Sequence, residues 1–153
     1  MEILTDINKT IDDFINTLSS FDEENINIVP FEGSWTAGQL AQHIIMSLSG
    51  FADLLNGPDK DTNRDPYEYS EMIKSMFLNF NIKMQSPPSV VPPMEDYEKE
   101  QQLATLQHLK SKLNRTIPEL DMDKTCIAAE IPQMGFHCAY FAVLVLKKLP
   151  MLF

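Results

Sequence analysis

At 153 residues and 44% hydrophobic content the chain fits one domain, residues 1–153, with enough apolar material for a buried core. Its 22 acidic and 12 basic side chains give a formal net charge of −10 with no Lys/Arg cluster to offset it, which excludes nucleic acid as a partner and disfavours anionic membranes. The longest apolar run, Cys138 to Leu146, is too short to cross a bilayer as a helix, and the start at Met1–Asp6 lacks the basic and apolar character of a secretory leader, so a cytoplasmic location is expected.

The first predicted element is a helix. Leu4, Ile7, Ile11, Phe14 and Leu18 recur at steps of three and four, which lines them along one stripe, with Asp12, Asp13 and Asn16 largely off it. Residues 21–33 read as a connection punctuated by Pro30 and Gly33. A second helix starts at Thr36-x-x-Gln39, the form of a capping box, and continues through Leu40, Ile44, Leu48, Phe51 and Leu55. Asn56-Gly57-Pro58 predicts its end, because glycine accepts a left-handed terminal residue and proline cannot extend a helix.

Residues 58–66 are polar and acidic, the pattern of a solvated loop. Ile73, Met76, Phe77 and Phe80 predict a shorter helix between residues 67 and 80. Four prolines within Ser86–Pro93 exclude helix and central strand and predict an extended crossover. A third long helix is expected from Glu95 to Ile117, with Leu103, Leu106, Lys110, Leu113 and Ile117 on one face. The stem of Lys110 covers that seam while its ammonium reaches water. Pro118 closes the helix. Residues 121–132 predict an irregular or briefly extended arm. Residues 136–149 are apolar nearly all round, as in a buried last helix, although Val143 and Val145 also suit a strand.

Three histidines are available. His43 precedes the seam residue Ile44 and is expected at the edge of the bundle interior. There a neutral imidazole can ligate a divalent metal; the plainer alternative is a core-edge histidine bonded to a carbonyl or carboxylate. His108 falls between Leu106 and Leu109 and is expected in solvent. His137 opens the last helix with no partner four residues on, and no H-x-x-x-H pair occurs anywhere. Cys126 and Cys138 form no C-x-x-C pair and sit among apolar neighbours, so buried free thiols are expected. No Gly-rich phosphate loop, H-E-x-x-H or G-x-S-x-G is present. Trp35, just ahead of the second helix, is placed to staple the incoming chain onto the bundle.

The stretch Ser34-Trp35-Thr36-Ala37-Gly38-Gln39-Leu40-Ala41-Gln42-His43-Ile44 resembles a hallmark of the DinB-like superfamily, in which a tryptophan precedes the second helix and a histidine follows eight residues later. Residues 73–87 and 121–135, including Lys124-Thr125-Cys126 and Ile131-Pro132-Gln133-Met134-Gly135, carry the likeness further. The resemblance implies an all-α four-helix bundle running up-down-down-up, with a long crossover that holds a short extra helix between helices 2 and 3. It implies a homodimer, and nickel or zinc held by three histidines, of which His43 matches the first. Relatives include metal-dependent S-transferases that use a small-molecule thiol cofactor. The other two ligands of the family come from a histidine pair in the last helix. The residues after Gly135 do not match that pattern, His137 comes too early to be either member, and an abrupt divergence of the ending, such as a frameshift, is the explanation we weigh.

Two functions follow, from different classes. One is a metal-dependent enzyme acting on a small-molecule substrate, with His43 and two further donors from His137, a carboxylate or a partner subunit. The other is a metal-free bundle that keeps the family pocket without the chemistry. A purely structural, dimeric interaction protein is a third.

Overall fold

The computed structural model describes residues 2–61, 71, 72, 75, 79, 85–121 and 124–128. Three long helices dominate: α1 (Glu2–Ser19), α2 (Ala37–Leu55) and α3 (Lys99–Thr116). A two-stranded antiparallel sheet joins β1 (Asp59–Asp61) to β2 (Lys124–Cys126), pairing Asp59 with Cys126 and Asp61 with Lys124. The residues expected to form the last helix, with His137 and Cys138, lie outside the described residues, as does most of the short helix expected between 67 and 80.

The core is the three helical stripes meeting. Ile7, Ile11, Phe14 and Leu18 of α1 are almost fully buried, as their spacing predicts, and Leu4 is partly so. From α2 come Ala41, Ile44, Ile45, Leu48, Ala52 and Leu55; from α3, Leu106, Leu109 and Leu113, continued by Ile117. Burying each large side chain contributes about 1.5–3 kcal/mol. The buried stripe of α2 is centred about one residue later than predicted, so Leu40 and Phe51 sit at its margin while Ala41 and Ala52 lie inside. Small residues on that face let α3 come close, and α3 packs against both α1 and α2.

Cross-helix bonds fix the directions. Asn8 meets Asn114, and Asp12 meets Lys110, so α1 and α3 run antiparallel. Gly38 meets Gln102, and Asp53 meets Lys112, so α2 and α3 run parallel. Parallel neighbours require a long crossover between them, which is what residues 56–98 supply. The three described helices thus run up, down, down.

Several local expectations are corrected. Lys110 does not simply reach water: its ammonium lies 2.6 and 2.7 Å from the two carboxylate oxygens of Asp12. The third helix begins at Lys99, not Glu95, because the Asn27 amide grips the backbone of Tyr97. Asn27 Nδ2 donates to the Tyr97 carbonyl (3.0 Å), and the Tyr97 N–H donates to Asn27 Oδ1 (2.9 Å), leaving Glu98 extended. Residues 59–61 of the expected loop form β1, exposed throughout but paired to β2. Within the proline-rich crossover, Pro88–Val90 makes one 3-10 turn, tolerated because Pro88 stands where an N–H has no helical partner.

The ends of α2 show the same mixture. At its start the capping box is complete: Gln39 N–H donates to Thr36 Oγ1 and Thr36 N–H to Gln39 Oε1, both at 3.0 Å. At its end Gly57 is not left-handed; among the described glycines only Gly33 has a positive φ, +80°. Gly57 is required by a close approach instead, since a Cβ there would sit 2.5 Å from Ala128 Cβ. Gly38 is also closely surrounded: a Cβ would lie 2.9 Å from Asn27 Oδ1, 3.1 Å from Tyr97 Cβ and 3.3 Å from the Ile26 carbonyl.

Candidate functional site

The geometry at the head of α2 begins with the cap. Thr36 and Gln39 set the first turn, which places Trp35 just outside the helix and His43 two turns in. The two rings meet, with centroids 5.1 Å apart and planes inclined by 50°, a tilted aromatic contact. Trp35 therefore braces His43.

The other side of the imidazole is fixed by the crossover. His43 Nδ1 lies 2.6 Å from the carbonyl oxygen of Val90. A carbonyl only accepts, so Nδ1 carries the proton and donates it. In the neutral ring this leaves the lone pair on Nε2. Val90 ends the turn that Pro87 and Pro88 open, and its own N–H is bonded to the Pro87 carbonyl (3.0 Å). Proline-rich backbone is short of N–H donors, which leaves carbonyls free to accept from side chains. The ring is half-buried, at the edge of the interior as expected.

The remaining candidates separate. His108 is exposed on α3, as its place between Leu106 and Leu109 predicts. His137 lies outside the described residues. Cys126 corrects the expectation of a buried thiol: it is only partly covered, and its S–H donates to the Leu54 carbonyl at 3.2 Å across the end of α2. Pairing with the exposed β1 puts it near the surface, which its apolar neighbours did not disclose.

The donor set does not fit a three-histidine metal centre. The sequence holds three histidines in all, so such a centre in one chain needs every one of them, and His108 stands in solvent. Among the described residues no group of three His, Cys, Asp or Glu side chains converges to hold a metal. What is in place is a single imidazole in the tautomer that ligands commonly adopt, its second nitrogen donating to a backbone carbonyl. The Val90 carbonyl is the partner that side-chain motifs could not reveal, because a backbone acceptor has no residue signature.

No helix of the described residues is long and apolar enough to cross a membrane. No curated protein and no solved structure matches the chain. A sequence model of the DinB superfamily, by contrast, matches residues 6–146, running on past Gly135 into the C-terminal segment whose residues depart from the histidine-pair pattern. With the match covering α2, α3 and all but the first four residues of α1, this chain belongs to the DinB superfamily.

Proposed function

We propose that the chain is a small-molecule-binding member of its family that uses His43 without a three-histidine metal centre. The observation that carries this reading is the bond from His43 Nδ1–H to the Val90 carbonyl beside the Trp35 ring. It leaves Nε2 as an oriented acceptor for an O–H, N–H or S–H of a ligand, with an indole alongside to cover apolar parts. The ring's orientation is set before any ligand arrives, which lowers the ordering cost of binding.

A second reading is a metal-dependent S-transferase or hydrolase, and one observation favours it. A neutral histidine that donates its other N–H to a carbonyl is also what a metal-ligating histidine does. In that reading His43 Nε2 is one ligand, the remaining donors come from outside the described residues or from a second copy, and the metal polarises a thiol or activates water.

Elemental analysis of untagged protein separates them. The first reading expects substoichiometric nickel and zinc, unchanged by His43→Ala, in monomer and dimer fractions alike. Stoichiometric metal that is lost in His43→Ala overturns it in favour of the second. Nitrogen-15 spectra of the imidazole provide the check on geometry: the Nδ1-protonated tautomer is expected, and an Nε2-protonated ring defeats both readings.

A further inference from the structure

The crossover reaches His43 through a segment that is stiff within itself and lightly held from outside. Pro87, Pro88, Pro92 and Pro93 each fix a backbone torsion and lack an N–H, so residues 87–93 bend little and cannot pair as a strand. The two backbone bonds printed here, Val90 N–H to the Pro87 carbonyl and Val91 N–H to the Pro88 carbonyl, lie inside the segment. Its apolar anchorage is slight. From residue 85 to 96 only Pro92 is buried, while Val91 is 45% and Met94 96% exposed. Few buried contacts mean a low local opening free energy.

Among the described residues, two hydrogen bonds tie residues 85–93 to the rest of the fold. One is from His43 Nδ1–H to the Val90 carbonyl, 2.6 Å. The other is from the Tyr97 hydroxyl to the Pro93 carbonyl, 2.8 Å. Tyr97 is itself a fixed post, 8% exposed and gripped at both its N–H and its carbonyl by the Asn27 amide. The stiff segment therefore hangs between a post at one end and the imidazole it serves at the other.

We infer that residues 86–93 form a strap whose seating on α2 controls His43, with Tyr97 as the residue that positions the strap. Seated, the Val90 carbonyl holds the proton on Nδ1 and turns Nε2 outward as the acceptor. Lifted, the strap takes that carbonyl away, and the ring is free to rotate and to exchange its proton between the two nitrogens. Stiffness makes the effect travel: loosening the strap at Pro93 loosens it at Val90. This inference rests on the reading of His43 as the binding residue and supplies its regulation.

The test is NMR of the full chain without added ligand or metal, following the exchange of the His43 Nδ1 proton with water and the nitrogen-15 order parameters of Ser89, Val90 and Val91. Tyr97→Phe keeps the ring and loses only the hydroxyl. It is expected to speed exchange of the Nδ1 proton about three- to tenfold, the worth of one hydrogen bond, with the amides of α1 and α3 unchanged. His43→Ala is expected to lower the three order parameters from about 0.85 towards about 0.6. His43→Asn, whose side-chain N–H stands close to where Nδ1 does, is expected to restore them. The inference is overturned if the Nδ1 proton exchanges freely in the parent, or if Tyr97→Phe leaves its exchange unchanged or speeds the helix amides equally. It is overturned as well if His43→Ala leaves the strap rigid, or if His43→Asn leaves it as loose as His43→Ala. None of these readouts involves a ligand, so a strap that fails leaves the binding role of His43 standing, and metal lost with His43→Ala leaves the strap standing.

Discussion

Gly38 shows how much one residue position can carry. Its N–H donates to the Ile26 carbonyl at 2.7 Å, its carbonyl accepts from Gln102, and the space a side chain would occupy is taken by Asn27, Tyr97 and Ile26. Two other segments, residues 26–27 and 97–102, converge on it. Gly38→Ala would ordinarily help a helix through its propensity. Here the added methyl meets backbone and a gripped amide that cannot yield, so we expect a net loss of about 1–3 kcal/mol, read as a lower urea midpoint with little change in slope. A variant as stable as the parent would show that the loop holding Asn27 can give way. His43 belongs to the same scale. Its candidacy came from the residue eight places before it, but its tautomer came from a carbonyl 47 residues later.

At the scale of elements, α1 and α3 are joined by more than their apolar stripes. Asn8 and Asn114 exchange a reciprocal pair of amide bonds, at 2.7 and 2.8 Å, one turn from the Asp12–Lys110 pair. Polar contacts inside a helix seam favour one register over its neighbours, because any slip leaves them unpaired. Asn8→Ala should strand the partner amide and cost about 1–2 kcal/mol. Replacing both asparagines should cost less than the sum of the single changes. A double-mutant cycle by chemical denaturation measures this, and a coupling below about 0.5 kcal/mol would mean that the pair does not set the register. The antiparallel placement of α1 on α3 and the parallel placement of α2 on α3 both rest on such bonds.

At the scale of the molecule, the acidic balance and two shifted groups act in one direction. Burial, followed by Glu95, raises the Tyr97 phenol, and the Asp59 carboxylate raises Lys124 across the small sheet. A group whose folded-state pKa lies above its unfolded value stabilises the fold fully below the unfolded value and loses that contribution as pH rises through the folded one. For Tyr97 and Lys124 the loss therefore comes in the alkaline range, above about pH 10. Deprotonation there also adds negative charge to a chain already at −10. We expect the thermal midpoint to fall more steeply on the alkaline side for the parent than for Tyr97→Phe. Tyrosinate absorbance should show one ring titrating later than the others in the parent. Equal alkaline slopes in the two proteins would remove Tyr97 from the explanation.

What the amino-acid sequence determined by itself were the features that depend on neighbours along the chain. The stripe of α1, the capping box of α2, the exposure of His108 and the tryptophan-to-histidine spacing are all periodicities or short motifs, and short-range sterics and hydrogen bonding decide them. Tertiary structure decided whatever needed two distant segments to meet. The start of α3 moved to Lys99 because Asn27 holds Tyr97, Gly57 proved a point of close approach to Ala128 and not a left-handed cap, and β1 exists only because β2 lies beside it. The histidine tautomer arises in the same way. It depends on a backbone carbonyl, which every residue has and which no residue type announces, so the sequence could name the imidazole but not what holds it.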